Sequence, residues 1–84
     1  MSYRLFILPR AQSQLADLPE REFNVAESKI GALREDPRPP GCKKLTEREG
    51  WRIRFGSYRV IYKIDDANKA VTVTDVGHRR EIYR

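Results

Sequence analysis

Apolar and basic residues alternate most regularly over residues 51–62, in the pattern of a half-buried strand. Gly56 and Ser57 interrupt this alternation and suit a two-residue hairpin loop, because glycine accepts a positive φ at the first central position. With this loop, Arg54 lies directly opposite Arg59 on the paired strand. The pattern therefore predicts a hairpin whose core face is formed by Trp51, Ile53, Phe55, Tyr58, Val60 and Tyr62.

The opposite face of the predicted hairpin carries Arg52, Arg54 and Arg59. Like charges placed directly across a sheet are destabilising. The arginines therefore indicate either that this face binds an anion or that it is a solvated basic surface, and the hairpin alone favours neither interpretation.

Two short helices are predicted ahead of the hairpin, after a first strand over residues 3–8. Pro9 ends that strand and suits the first turn of a helix. The Leu18-Pro19 step ends this helix, since a residue before proline disfavours the helical region, and the second helix ends before Pro37. Apolar residues recur at helical spacing in both: Ala11, Leu15 and Leu18 in the first helix, and Phe23, Ala26, Ile30 and Leu33 in the second.

A β-branched strand is predicted from Ala70 to Val76. On this strand Asp75 falls on the same side as the apolar residues unless a β-bulge intervenes. The predicted fold is α+β in the order β-α-α-β-β-β, with a small antiparallel β-sheet and a helical hairpin packed on one face. A chain of this length forms one domain, which we expect to span residues 1–84.

Composition excludes several classes of protein. Cys42 is the only cysteine and His78 the only histidine, so neither an internal disulfide nor a Cys/His metal site can form. The apolar run from Leu5 to Leu8 is too short for a signal peptide or a membrane span. We therefore expect a soluble cytoplasmic protein that takes no metal or other cofactor.

The net charge of +5 is unevenly distributed. Residues 1–42 hold six basic and six acidic residues, whereas residues 43–84 hold eleven basic and six acidic residues. A one-sided basic excess is typical of proteins that bind a polyanion or an acidic partner. The charge distribution therefore predicts a partner of this kind.

Several segments in the basic half resemble those of a known family. They are Lys43-Lys44-Leu45, Trp51-Arg52-Ile53-Arg54, Gly56-Ser57-Tyr58-Arg59-Val60-Ile61-Tyr62 and Val76-Gly77-His78-Arg79-Arg80-Glu81-Ile82-Tyr83. In this order, and with the helical hairpin before them, they resemble the RelE/ParE superfamily of toxin–antitoxin toxins. The resemblance covers nearly the whole chain and is to the RelE branch.

The resemblance implies a metal-independent endoribonuclease that cleaves mRNA in the ribosomal A site. In the RelE branch the RNA's own 2′-hydroxyl attacks the phosphate, which leaves a 2′,3′-cyclic phosphate and a 5′-hydroxyl. The implied partners are a cognate antitoxin and mRNA on the ribosome, with no membrane and no metal. A hetero-oligomer of toxin and antitoxin on operator DNA is also implied.

The resemblance also implies which residues act. Guanidinium groups bind phosphate oxygens bidentately, and a tyrosine stacks on a splayed base. Carried over by motif, the catalytic residues are Arg52, Arg54, Arg59, Arg79 and Tyr83. The further RNA-binding residues are Lys43, Lys44, His78 and Arg80.

The general base is not identified by these motifs. Well-described relatives have lysine where this chain has Arg52 and Arg54, and arginine is a poor base because its pKa exceeds ~12. The base therefore stays open between Tyr83, His78 and a neighbouring glutamate, or substrate positioning supplies most of the catalysis.

Two other functions stay open on the same fold. A ParE-type toxin would inhibit DNA gyrase, and because that branch lacks the catalytic set, the retained arginines and Tyr83 favour the RelE branch. A catalytically degenerate toxin would only bind its antitoxin and regulate the operon. Arginine at the two lysine positions is compatible with this second function.

Overall fold

A computed structural model of the chain describes residues 2–78. Its elements form one mixed sheet with two helices on one face, which confirms the α+β fold predicted from the sequence. Within the described range no helix is long and apolar enough to cross a membrane. In chain order the elements are β1 (Arg4–Ile7), α1 (Pro9–Ala16), α2 (Glu20–Ala32), β2 (Lys43–Lys44), β3 (Trp51–Phe55), β4 (Tyr58–Asp65) and β5 (Ala70–His78).

The central hairpin has the register that the sequence predicts. Arg54 pairs with Arg59 across β3 and β4, and the other pairs follow from it. Gly56 has a φ of +56° whereas Ser57 has no positive φ, which matches a type II′ loop. All six residues of the predicted core face belong to the core or pack against it.

The core lies between the helices and the inner face of the sheet. Both predicted helical stripes face it: α1 buries Ala11 and Leu15, α2 buries Ala26 and Ile30, and Leu33 is fully buried at the end of α2. Each such side chain stabilises the fold by roughly 1.5–3 kcal/mol when it is fully buried, except for the smaller alanines. The largest fully buried residues of the sheet are Tyr62, Val60, Val71, Val73 and Val76.

The pairing of the first strand differs from the antiparallel sheet that was predicted. β1 runs parallel to β5, with Leu5 opposite Val71 and Ile7 opposite Val73, and the strand order is β1-β5-β4-β3-β2. A parallel pair requires a long crossover connection, which the two helices and the intervening strands provide. Hydrophobic alternation indicates which side of a strand is buried and does not identify its neighbour, so the sequence pattern left this pair undetected.

A bulge in β5 decides which way Asp75 faces. Tyr62 pairs with Val73 and Ile61 pairs with Asp75, so Thr74 is the extra residue. The bulge keeps the valines of β5 in the core and turns Asp75 to the opposite face of the sheet. The bulged alternative raised by the sequence is therefore the correct one.

Polar contacts hold the proline-rich connector after α2 against the sheet. The Tyr62 hydroxyl donates a 2.8 Å hydrogen bond to the carbonyl oxygen of Pro37, and burial raises the pKa of Tyr62. Arg38 binds Asp66 at 2.9 Å and lies 5.0 Å from the ring centroid of Trp51. Trp51 itself is half-buried and packs against the rim of the core.

Candidate functional site

The face of the sheet opposite the helices, which we call the open face, collects the arginines predicted from the hairpin. Paired residues on neighbouring strands direct their side chains to the same face, so the strand registers identify its members. The residues of the open face are Arg4, Phe6, Lys43, Arg52, Arg54, Arg59, Ile61, Lys63, Asp65, Ala70, Thr72, Asp75 and Gly77.

Positive charge dominates the open face. Its described strand residues include six cations, whereas Asp65 and Asp75 are its two carboxylates. Asp65 accepts hydrogen bonds from the side chain and backbone of Asn68, which hold the pKa of that carboxyl below its usual range. A surface with this excess of cations attracts phosphate groups over several ångströms.

Arg54 and Arg59 lie directly opposite each other on this face, as do Lys43 and Arg52. Directly opposite residues of antiparallel strands have Cα atoms roughly 4.5–5.5 Å apart, so two guanidinium groups can reach one phosphodiester. Arg54 is exposed, Arg52 is half-buried and Arg59 is only 7% exposed. The arrangement therefore offers a phosphate one exposed guanidinium beside one that is nearly buried.

The two lysines of β2 face opposite sides of the sheet. Lys43 pairs with Arg52 and shares the open face, whereas Lys44 pairs with Trp51 and shares the helical side. Both lysines are exposed. The structure thus brings one of the two predicted RNA-binding lysines next to the arginines and separates the other from them.

His78 also lies on the helical side of the sheet. It pairs with Tyr58, which packs against the core, while its neighbour Gly77 pairs with Arg59 on the open face. The His78 and Tyr58 rings meet edge to face with centroids 5.6 Å apart. They line a groove of about 420 Å³ beside the end of α1. The register therefore directs the imidazole away from Arg52, Arg54 and Arg59, whereas Arg10 and Arg48 line the same groove as His78.

Asp75 joins three parts of the chain at the edge of the open face. Arg10 Nε lies 3.1 Å from one carboxylate oxygen, and Arg48 Nη2 lies 3.2 Å from the other. The carboxylate is nearly buried, whereas both arginines remain more than half exposed. Asp75 therefore fixes the start of α1 and the loop before β3 in place while it leaves two guanidinium groups accessible.

The remaining predicted residues lie beyond the described range. Arg79, Arg80 and Tyr83 follow β5 directly, and their positions stay predictions. Sequence reasoning missed Arg4 and Phe6, although the alternation in the first strand places them on the side away from Leu5 and Ile7. It also missed Arg10, Arg48 and Lys63. Within residues 2–78 no cluster of three or more histidine, cysteine or acidic side chains could hold a metal ion.

A protein-family model matches nearly the whole chain. The model describes the ParE toxin of type II toxin–antitoxin systems of the parDE kind, and it matches residues 5–83, which include every residue of the open face except Arg4. The chain belongs to the RelE/ParE superfamily of toxin–antitoxin toxins.

Individual members of the superfamily resemble this toxin over most or all of their lengths. Toxin RelG of Mycobacterium tuberculosis is 35% identical over 86 residues, which cover 100% of this chain and 99% of RelG. Toxin RelE of the same organism is 32% identical over 98% of this chain and 87% of its own length. The toxin fold also matches a chain of the archaeal RelE–RelB complex from Pyrococcus horikoshii, with a TM-score of 0.84 and 25% sequence identity. The match covers 96% of this chain and 99% of the archaeal chain.

Proposed function

We propose that this protein is the toxin of a toxin–antitoxin pair and acts as a metal-independent endoribonuclease on mRNA in the ribosomal A site. The observation that carries the proposal is the Arg54–Arg59 pair on the open face, next to Arg52 and Lys43. A sheet tolerates such like-charge pairing at a cost. An RNA phosphate bound between these side chains would offset their repulsion, because its negative charge attracts both guanidinium groups.

The proposed reaction is attack of the 2′-hydroxyl on the adjacent phosphate, with departure of the 5′-oxygen. The phosphate gains negative charge in its transition state, and preformed cations stabilise that charge more than they stabilise the substrate. Arg54 and Arg59 carry this role, and Arg52 and Lys43 position the neighbouring phosphates. Arg79 and Tyr83 are proposed to complete the site from the segment after β5.

The geometry of the described residues supports substrate positioning over histidine base catalysis. His78 shares a face with Tyr58 and the helices, on the other side of the sheet from the arginines. Tyr83 and substrate positioning are therefore the favoured sources of the proton-transfer step. Positioning a 2′-hydroxyl in line with its phosphate is itself a large contribution to rate.

The proposed partner is an acidic antitoxin that neutralises the toxin. The P. horikoshii toxin that shares this fold was solved as a complex with RelB. The open face carries more cations than carboxylates, so an acidic polypeptide is chemically suited to compete with RNA for it. A hetero-oligomer with the antitoxin on operator DNA belongs to the same proposal.

The proposal is tested by mRNA cleavage on ribosomes with a filled P site and an open A site. We expect cleavage to require the ribosome. We also expect the cleavage rate to differ between two variants in which one lysine of β2 is replaced by alanine. Lys43→Ala should slow it severalfold because a phosphate contact is lost, whereas Lys44→Ala should leave it unchanged. Lys44 is the matched control because it lies on the same short strand, is also exposed, and faces the helical side.

Gyrase inhibition is the second candidate function, because the matching family model is described as a ParE toxin. Gyrase-linked DNA breaks without RNA cleavage would establish this candidate and overturn the nuclease proposal. Antitoxin binding without either activity would instead identify a degenerate toxin.

A further inference from the structure

An exposed aromatic ring lies on the open face at the edge opposite the arginine pair. Phe6 of β1 is 48% exposed and pairs with Thr72, which in turn pairs with Lys63. With strands roughly 4.8 Å apart, Phe6 and Lys63 are about 10 Å apart at their Cα atoms. A phenyl ring therefore shares the cationic face on which the phosphate site is proposed.

Cations flank this ring on the same face. The Arg4 guanidinium lies 5.6 Å from the centroid of the Phe6 ring, within the range of a cation–π contact. This contact restrains the ring, yet about half of the residue stays exposed. A ring for base stacking and adjacent charges for the backbone are the two components of single-stranded nucleic acid sites.

The position of Phe6 argues against an incidental exposed side chain. The other exposed large apolar residues described are Leu8, which directly follows β1, and Val25 on α2. Phe6 is the aromatic member of this set and the one that lies within a strand of the open face. Along β4, the row of Arg59 and Gly77 is four residues from the row of Lys63, Thr72 and Phe6, which is roughly 13 Å.

We propose that Phe6, with Arg4 and Lys63, forms a second RNA contact on the open face, in which the Phe6 ring stacks on an unpaired base. The inference rests on the proposed function for its substrate class. It adds a binding residue that lies away from the reacting phosphate. The base belongs either to the mRNA or to ribosomal RNA, since both present unpaired bases near a decoding site.

The test compares Phe6→Val with Phe6→Tyr. Valine keeps the strand preference of the position and removes the ring, whereas tyrosine keeps the ring. Val25→Ala is the matched control, because Val25 is 40% exposed on the helical side. Binding is measured to ribosomes with an empty A site, to ribosomes carrying an mRNA codon there, and to a free single-stranded RNA.

We expect Phe6→Val to weaken ribosome binding roughly tenfold, as for loss of one stacked base, and Phe6→Tyr and Val25→Ala to bind like the parent. In the cleavage assay the KM should rise while kcat stays unchanged, because the ring lies away from the phosphate. A defect confined to ribosomes with an mRNA codon assigns the base to mRNA. An equal defect on empty ribosomes assigns it to ribosomal RNA.

Parent-like binding of Phe6→Val to all three RNA targets would overturn the proposal, and so would weakened antitoxin binding with RNA binding intact. Failure of the Phe6 contact and failure of the nuclease proposal would give different results. A parent that binds RNA through Phe6 and does not cleave it would refute only the nuclease, whereas cleavage that ignores Phe6 would refute only the second contact.

Discussion

The Arg54–Arg59 pair allows the contributions of an arginine to function and to stability to be tested separately. The two arginines face each other across β3 and β4, and the inner face of the same hairpin supplies core residues. A substitution at Arg54 therefore changes the charge on the open face and leaves the core intact. Arg59 is nearly buried, so its loss would disturb packing as well as charge.

We predict that Arg54→Thr is at least as stable as the parent. Threonine is a good strand residue, and removal of one cation relieves a repulsion of up to ~1 kcal/mol. Thermal melting of the two proteins checks this prediction. A melting temperature many degrees lower in the variant would show that Arg54 is a structural residue.

Asp66 gives a second prediction at the residue scale. Hydrogen bonds from Arg38 and from the Tyr3 hydroxyl lower the pKa of Asp66 to about 2. Because the folded-state pKa is depressed, the stabilisation is present above the ordinary aspartate pKa near ~4 and is lost as the pH falls towards about 2.

The measurement compares melting temperatures of the parent and Asp66→Asn between neutral pH and acid. The parent should be the more stable protein near neutral pH, by a small margin because the group is exposed. That margin should shrink as the pH approaches 2. A difference that does not change with pH would remove the ionised carboxylate as its cause.

Gly50 and Gly31 differ in whether the backbone and the surrounding space require a glycine. Gly50, before β3, has a φ of +138°, and an added Cβ would lie 3.2 Å from Leu45 Cδ1 and 3.3 Å from the Tyr62 carbonyl oxygen. Gly31 lies in α2 with nothing within 4 Å of the same atom. The same substitution should therefore have opposite effects at the two positions.

We predict that Gly50→Ala destabilises the fold by about 1–3 kcal/mol, since alanine is strained at this φ. Gly31→Ala should stabilise it by about 0.5–1 kcal/mol through helix propensity and a less flexible unfolded chain. Urea unfolding of the two variants checks both signs. Equal shifts in the same direction would contradict the backbone assigned to Gly50.

Among the strands and helices, the features predicted correctly from the sequence are those set by residues close together in the chain. The Gly56 loop fixed the register of β3 and β4, and the Leu18-Pro19 step separated the helices as predicted. The parallel neighbour of β1 depends on contacts between residues more than sixty positions apart. No local pattern carries that information, so the sequence could not reveal it.

The candidate site divides in the same way. The register of the hairpin placed Arg52, Arg54 and Arg59 together, as predicted. Lys44 and His78 were grouped with them by motif, and the pairing of β2 and the bulge-shifted end of β5 direct both to the other side. Side-chain facing at strand ends depends on pairing partners, which a motif does not specify.

Charge is the property of the whole molecule that bears on its partners. The net charge is +5, and the open face carries six cations from the four strands β1 to β4. We predict that association with an acidic antitoxin is fast and slows strongly with salt, because long-range attraction steers the encounter.

Stopped-flow association between about 0.01 M and 1 M salt tests this, since the Debye length falls from roughly 30 Å to 3 Å over that range. An association rate constant that stays the same throughout would exclude steering by the open face.

The most direct test of the proposed function is the chemistry of the ends left on mRNA by the parent and by Arg54→Thr. On ribosomes with an open A site, the parent should leave a 2′,3′-cyclic phosphate and a 5′-hydroxyl, which are the ends that attack by the RNA's own 2′-hydroxyl produces. Arg54→Thr should leave the same ends at a rate lower by ~10²–10³, as for loss of one group that stabilises transition-state charge, while it melts no earlier than the parent. Intact mRNA with the parent protein, or full activity in the folded variant, would contradict the role assigned to the open face.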